Sequence, residues 1–180
     1  MDKDSVITLQ KTLTTSFFGG FISLLDTNTF VVSTTTHQRP VRTIDVYGNE
    51  GEIQHKLLPD KTYSTTWKST CVYIQSTKTL VFADQDQHTV YMCNITSGDG
   101  HVIKNDKIRL PRGICAGPAG IVFVCSEGTR SVVQLSPQGD VLASHRVDDG
   151  HPLAVSVAED GTRLVLSLYS MVQIKLYSIL

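Results

Sequence analysis

Arginine and aromatic side chains supply the binding chemistry of this sequence, and they lie far apart in it. Arg39, Arg112 and Arg130 could bind a phosphate or a carboxylate, because a guanidinium group presents a planar fork of N–H donors. Trp67 or Tyr169 could stack on a base or anchor a peptide. These residues can act together only if the fold brings distant parts of the chain to one surface.

Catalytic and metal-binding motifs are not found in the sequence. No pair of its four cysteines, Cys71, Cys93, Cys115 and Cys125, has the two-residue gap of a zinc or redox site, so we expect thiols packed as small hydrophobic side chains. The six histidines show no HExxH spacing, and neither a Gly-x-Ser-x-Gly elbow nor a P-loop is present. We expect no catalytic residue, no metal and no cofactor, and we expect that the chain is not an enzyme.

The composition favours strands and an almost neutral surface. Val, Ile and Thr together make 51 of the 180 residues, and β-branched side chains suit the pleated surface of a sheet. The 16 basic and 17 acidic side chains give a net charge of −1, so the composition provides no long-range attraction to a polyanion. The apolar runs are too short for a membrane-spanning helix, and the charged N-terminus has no signal-peptide core. We expect an all-β protein in the cytoplasm, with no membrane partner.

A repeated order of features runs through the chain, in which apolar strands alternate with turns rich in Gly, Pro, Asp and Ser. Val31, Val81, Val122 and Leu164 take equivalent places in the second strand of successive units, at intervals of about 40–50 residues. Four strands per unit at this period are typical of a β-propeller blade.

Sixteen strands are predicted, which make four blades of four antiparallel strands in a partial or closed ring. We expect one β-propeller region over residues 1–180, with blades at approximately 17–64, 65–110, 111–149 and 150–180. The last blade has only three strands of its own. Residues 6–13, at the other end of the chain, could add the fourth as an outer strand by exchange between the termini.

Two parts of the chain resemble the NHL-type propeller repeat. Residues 111–115 followed by 120–124 match its first half, and residues 81–84 followed by 87–92 look like its second half. More specifically, residues 30–42 and 58–63 look like the C-terminal propellers of invertebrate tripartite-motif (TRIM-NHL) proteins.

The resemblance implies a cytosolic domain that selects protein partners for a RING ubiquitin ligase, or that binds RNA in some members of the family. The RING zinc ligands are absent from this sequence, so ubiquitin transfer would need other domains or a partner. Family propellers usually have six blades, whereas four are counted here. An open arc would leave strand edges through which the chain could associate with itself.

A partner-binding surface is predicted on one face of the propeller, where the loops between second and third strands and those between blades emerge. The candidate residues on this loop face are Arg39, Trp67, Asp84, His88, Arg112, Arg130 and His151. We predict a protein partner. Single-stranded RNA is the alternative, against which the near-neutral charge argues. A lactonase-type hydrolase is a further alternative, but the predicted inner strands hold no carboxylate to bind a metal.

Overall fold

The computed structural model describes residues 12, 19–34, 41–45, 49–52, 70–169 and 173–179. Its strands are β1 (Gly19–Leu24), β2 (Thr29–Thr34), β3 (Val41–Asp45), β4 (Glu50–Glu52), β5 (Cys71–Ile74), β6 (Thr79–Asp84), β7 (Thr89–Asn94), β8 (Gly100–Ile103), β9 (Pro111–Ala116), β10 (Val122–Ser126), β11 (Ser131–Leu135), β12 (Val141–Arg146), β13 (His151–Val157), β14 (Arg163–Tyr169) and β15 (Ile174–Ser178). A short 3₁₀ turn, Pro118–Gly120, precedes β10. None of the described residues belongs to a helix long and apolar enough to cross a membrane. The predicted all-β fold is confirmed.

The strands form four antiparallel sheets, and each sheet is a meander in which strands adjacent in sequence pair with each other. Strands β1–β4 make blade 1, β5–β8 blade 2, β9–β12 blade 3 and β13–β15 blade 4. In blade 3, Val124 lies opposite Ile114 on one side and Val133 on the other. The predicted propeller blades are therefore confirmed. The predicted outer strand at 6–13 lies outside the described residues, and the predicted domain bounds stay a prediction.

The two faces of a central strand pack against two different blades. Along β6, Leu80 and Phe82 lie in a buried cluster with Val31 of blade 1. Val81 and Ala83 lie on the opposite face, in a cluster shared with blade 3. This division follows from the strand period of two, which sends successive side chains to opposite faces of the sheet. All six residues of β6 are consequently buried.

Blade 3 packs in the same way against blade 4, through buried side chains that include Phe123, Cys125 and Leu166. The innermost strands contact one another in chain order, β1 with β5, β5 with β9 and β9 with β13. At the last of these contacts Gly113 lets β13 come close, because a Cβ at this position would lie 2.6 Å from the Cα of Ala154. The blades therefore stand side by side in the order of the sequence.

The blades at the two ends of this row each expose an apolar face. In blade 4, Leu166 and Leu168 of β14 are buried against blade 3, whereas Ile174 and Leu176 of β15 are 76% and 66% exposed. In blade 1, Ile22 of β1 is exposed as well. Within the described residues, the four blades form an arc of a propeller.

The four cysteines are thiols and not disulfides, as predicted. Two of them lie on neighbouring strands of blade 3, Cys115 on β9 and Cys125 on β10. Burial raises the pKa of the Cys115 thiol to about 12 and raises the pKa of the Cys125 thiol as well. Both thiols are therefore uncharged at neutral pH and act as small packing groups.

Candidate functional site

Turns of one design join the second and third strands of blades 2 and 3. Each turn closes through a backbone hydrogen bond from its fourth residue to its first, His88 to Gln85 at 3.3 Å and Arg130 to Glu127 at 3.1 Å. The fourth residues have positive φ angles, 57° at His88 and 51° at Arg130, which place them in the left-handed region. The repeat therefore sets Gln85 and Glu127 at matching positions on the same end of neighbouring blades.

A hydrogen-bonded cluster joins these turns to the inner strand β9. Gln85 Nε2 donates to Glu127 Oε2 at 3.1 Å, and Arg112 Nε donates to the same oxygen in an ion pair. The Arg112 and Glu127 side chains are only 11% and 14% exposed. Because two donors, one of them charged, meet the carboxylate, its burial is compensated.

Blade 4 contributes His151 and Tyr169, which lie opposite each other in the register of β13 and β14. The Arg112 guanidinium carbon lies 5.0 Å from the centroid of the Tyr169 ring, a cation–π contact. His151 Nδ1 lies 3.1 Å from the backbone oxygen of Glu127 and donates to it when this nitrogen carries the proton. Together with Gln85, these four residues form the interblade cluster, which connects blades 2, 3 and 4.

Two further predicted residues shape the loops beside the cluster. The buried Asp84 accepts a hydrogen bond at Oδ1 from the Gln87 N–H at 3.0 Å, which holds the β6–β7 turn. His88 Nδ1 accepts a hydrogen bond of 3.1 Å from the Leu110 N–H, just before β9 begins. Asp84 and His88 are therefore residues that position the loop face.

The structure brings five of the predicted residues to the same end of neighbouring blades. Arg112 and His151 belong to the interblade cluster, Asp84 and His88 support the adjoining turn, and Arg130 presents an exposed side chain at the end of its own turn. The site assignment itself stays a prediction, because contact with a partner is what defines it.

Arg39 and Trp67 lie outside the described residues and also stay predictions. Gln85 and Glu127, by contrast, were not among the predicted site residues, although they form the centre of the interblade cluster. The two residues occupy equivalent positions in successive repeats, and an alignment of the two turns in the sequence shows this.

The loop face offers groups suited to noncovalent recognition. The charges of Arg112 and Glu127 are paired inside the cluster, whereas the Tyr169 side chain is 52% exposed and the Arg130 side chain lies in solvent. Tyrosine and arginine are enriched at the centres of protein interfaces. Within the described residues, no three His, Cys, Asp or Glu side chains are grouped as they are around a metal ion.

One family model matches the sequence, and its description is "Family of unknown function (DUF5711)"; it covers residues 61–180. No curated protein matches the chain in sequence.

Three solved structures illustrate the likeness in fold. Virginiamycin B lyase from Staphylococcus aureus is 12% identical, with a TM-score of 0.66 over 89% of this chain and 55% of its own. Hydrazine synthase of Kuenenia stuttgartiensis is 18% identical, with a TM-score of 0.70 over 95% of this chain and 49% of its own. A nidogen/laminin complex contains a chain that is 14% identical, with a TM-score of 0.66 over 87% of this chain and 58% of its own.

These neighbours are β-propeller proteins, and at such low identities the likeness concerns the fold alone. The chain spans about half the length of the solved structures that it matches. The resemblance to NHL-type propellers agrees with this fold at the coarser level, and the link to tripartite-motif proteins stays a proposal.

The prediction that the chain is not an enzyme is wrong. Virginiamycin B lyase is an enzyme and has the same fold, so neither the propeller nor the absence of familiar motifs excludes catalysis. The physical reason is that propeller strands form a scaffold while the loops carry the chemistry, and loop residues from several blades combine without a fixed spacing in sequence.

Proposed function

The chain belongs to the Family of unknown function (DUF5711), and we propose that this propeller binds a protein partner through its loop face. The loop face is the surface formed by the β6–β7 turn, the β10–β11 turn, residues 104–110 between β8 and β9, and the ends of β13 and β14 at His151 and Tyr169.

The observation that carries the proposal is the interblade cluster. Glu127 is tied to Gln85 of blade 2, to Arg112 on the inner strand of its own blade, and to His151 of blade 4. The loops of three blades are therefore held in one arrangement. A surface that is ordered before binding loses less conformational entropy when a partner arrives, which favours affinity.

Exposed side chains stand on this ordered base. Arg130 and Asp86 are exposed at the two equivalent turns, and Tyr169 is half exposed over Arg112. A guanidinium group and an aromatic ring can contribute strongly to a protein interface, and an acidic neighbour adds specificity.

The nidogen/laminin complex supports the proposal by analogy of fold, since that propeller structure was solved with a protein partner. The resemblance to TRIM-NHL propellers supports the same role, with partner selection for a ubiquitin ligase in the cytoplasm as its specific form. The RNA alternative receives no support from the net charge of −1.

The test uses affinity capture with the full chain and a pair of matched variants. Arg130 and Lys78 are both exposed cations with positive φ at the fourth position of a turn, 51° and 52°, but they lie at opposite ends of the blades. We expect that Arg130→Gln weakens retention of the captured partner and that Lys78→Gln does not. Equal retention by both variants, or a complex that ribonuclease dissolves, would contradict the proposal.

A further inference from the structure

A polar pocket lies on the loop face between blades 2 and 3, outside the interblade cluster. Its volume is about 480 Å³, and it is lined by Gln87, His88 and residues 104–109. This volume lies within the range of about 300–1,000 Å³ that is usual for ligand sites. We call it the basic pocket, because cations outnumber anions along its lining.

The excess of positive charge comes from one short segment. Lys104, Lys107 and Arg109 are all exposed, and Asp106 is the single acidic residue in the lining. Asp106 Oδ1 pairs with Arg109 at 3.1 Å, but the Asp106 side chain is fully exposed and the Arg109 side chain is half exposed, so this ion pair is weak. A surplus of two positive charges therefore lines the pocket in a chain whose net charge is −1.

The backbone that carries these cations is anchored to blade 3. Arg109 N–H donates to Ser126 Oγ at 2.8 Å, and Gly128 N–H donates to the Arg109 carbonyl at 2.9 Å. Thr129 Oγ1 donates to the Lys107 carbonyl at 3.1 Å, and the side chain of Ile108 is fully buried. The segment is thus fixed, while the charged ends of its side chains stay in solvent.

Two further details concern the residues around the pocket. A Cβ at position 128 would lie 2.8 Å from the Cβ of Arg109, so glycine permits the close approach of the two loops. His88 uses Nδ1 to accept from Leu110, so its remaining proton is on Nε2, where it is a donor. The lining therefore combines three exposed cations on an anchored backbone with the imidazole of His88.

We propose that the basic pocket binds an acidic segment of the protein partner, with side-chain carboxylates or phosphates placed between Lys104, Lys107 and Arg109. Lysine and arginine bind such groups through charge-assisted hydrogen bonds. The proposal rests on the proposed function, since it names what the loop face recognises. Because the cations are exposed to solvent, binding weakens as the salt concentration rises.

The test measures binding of labelled peptides to the full chain by fluorescence anisotropy at low salt. The probes are a Glu–Ser repeat peptide, the same peptide with phosphoserine, and a Gln–Ser repeat of equal length. We expect both acidic peptides to bind at least about tenfold more tightly than the neutral one, the factor that corresponds to about 1.4 kcal/mol. Tighter binding of the phosphopeptide assigns phosphate as the preferred group, and equal binding assigns carboxylates.

The variants are Lys104→Gln/Lys107→Gln and the control Lys78→Gln, whose cation lies at the opposite end of the blades. All three side chains are exposed, so the fold is expected to survive, and thermal unfolding verifies this. The proposal requires that the double variant loses the preference for acidic peptides and that Lys78→Gln keeps it. Unchanged binding by the double variant, or equal binding of the neutral peptide, would overturn it.

Failure of this inference can be told from failure of the proposed function. If the double variant retains the captured partner while Arg130→Gln loses it, the basic pocket is not the contact and the loop face still is. If acidic peptides bind at the pocket but Arg130→Gln and the double variant both retain the partner, the pocket binds anions, but its assignment to the partner and the proposed function both fail.

Discussion

Gln85 and Glu127 hold the same place in two successive blades, and their side chains meet in a hydrogen bond of 3.1 Å. They are 42 residues apart in sequence, about one blade period. Because the repeat units stack side by side, equivalent positions of neighbouring blades lie close together. Polar side chains at such positions can therefore link the blades on the loop face. Glu127 also forms the buried ion pair with Arg112.

Breaking the ion pair on one side should destabilise the protein. Arg112→Met leaves the mostly buried Glu127 carboxylate with a neutral donor from Gln85, and we expect a loss of about 3 kcal/mol in the free energy of unfolding. Urea denaturation measures it. The double variant Arg112→Met/Glu127→Gln should recover most of the loss, because no unpaired charge remains. A neutral effect of the single variant would contradict a stabilising role for the ion pair.

The raised thiol pKa of Cys115 predicts a loss of stability in alkali. In the unfolded chain this thiol ionises near pH 9, whereas in the folded chain its pKa is about 12, so the native state holds the proton more tightly. The resulting stability is complete below pH 9 and declines as the pH rises towards 12. Near pH 10 we expect a loss of about 1 kcal/mol, seen in urea unfolding. Cys115→Val should show a shallower decline, and identical slopes would contradict the assignment.

Gly113 tests the close approach of the inner strands. A Cβ at this position would meet backbone atoms of β13, the Cα of Ala154 at 2.6 Å and the carbonyl oxygen of Leu153 at 2.7 Å. Since backbone cannot rotate away, Gly113→Ala should cost about 2 kcal/mol or more in stability. The exposed Ser144→Ala on β12 is the control and should change stability by less than about 0.5 kcal/mol. Equal melting temperatures for the two variants would contradict this close approach of β9 to β13.

The exposed apolar face of blade 4 predicts self-association. Ile174 and Leu176 are both mostly exposed on β15, and a contiguous apolar surface of this kind tends to associate with another apolar surface. We expect light scattering to show species larger than the monomer at high protein concentration. Ile174→Lys/Leu176→Lys should shift the distribution to monomer, whereas a wild-type chain that stays monomeric throughout would contradict the prediction.

The strands could be predicted from the sequence because their signals are local. Val81 and Val122, which the repeat places in second strands, lie in β6 (Thr79–Asp84) and at the start of β10 (Val122–Ser126). β-branched runs between turn-forming residues are enough to specify such elements. The period of the repeat then predicts the blades, because stacking is the way in which such units bury their second face.

The site could be predicted only in part because its contacts are not local. Arg112 and His151 were expected on the loop face, but their meeting through Glu127 depends on how three blades stack. Gln85 could not be predicted as a site residue, since a single glutamine in a turn carries no signal of its own. The prediction of no enzymatic activity failed for the same reason, because motif spacing does not describe loops gathered from several blades.

Hydrogen–deuterium exchange of the chain with and without its captured partner tests the central claim most directly. The account predicts slower exchange on binding at residues 85–88, 104–110 and 127–130, which together make up much of the loop face. The turns at the opposite end of the blades, residues 75–78, 136–140 and 158–162, should exchange at unchanged rates. Protection confined to that opposite end would contradict the account.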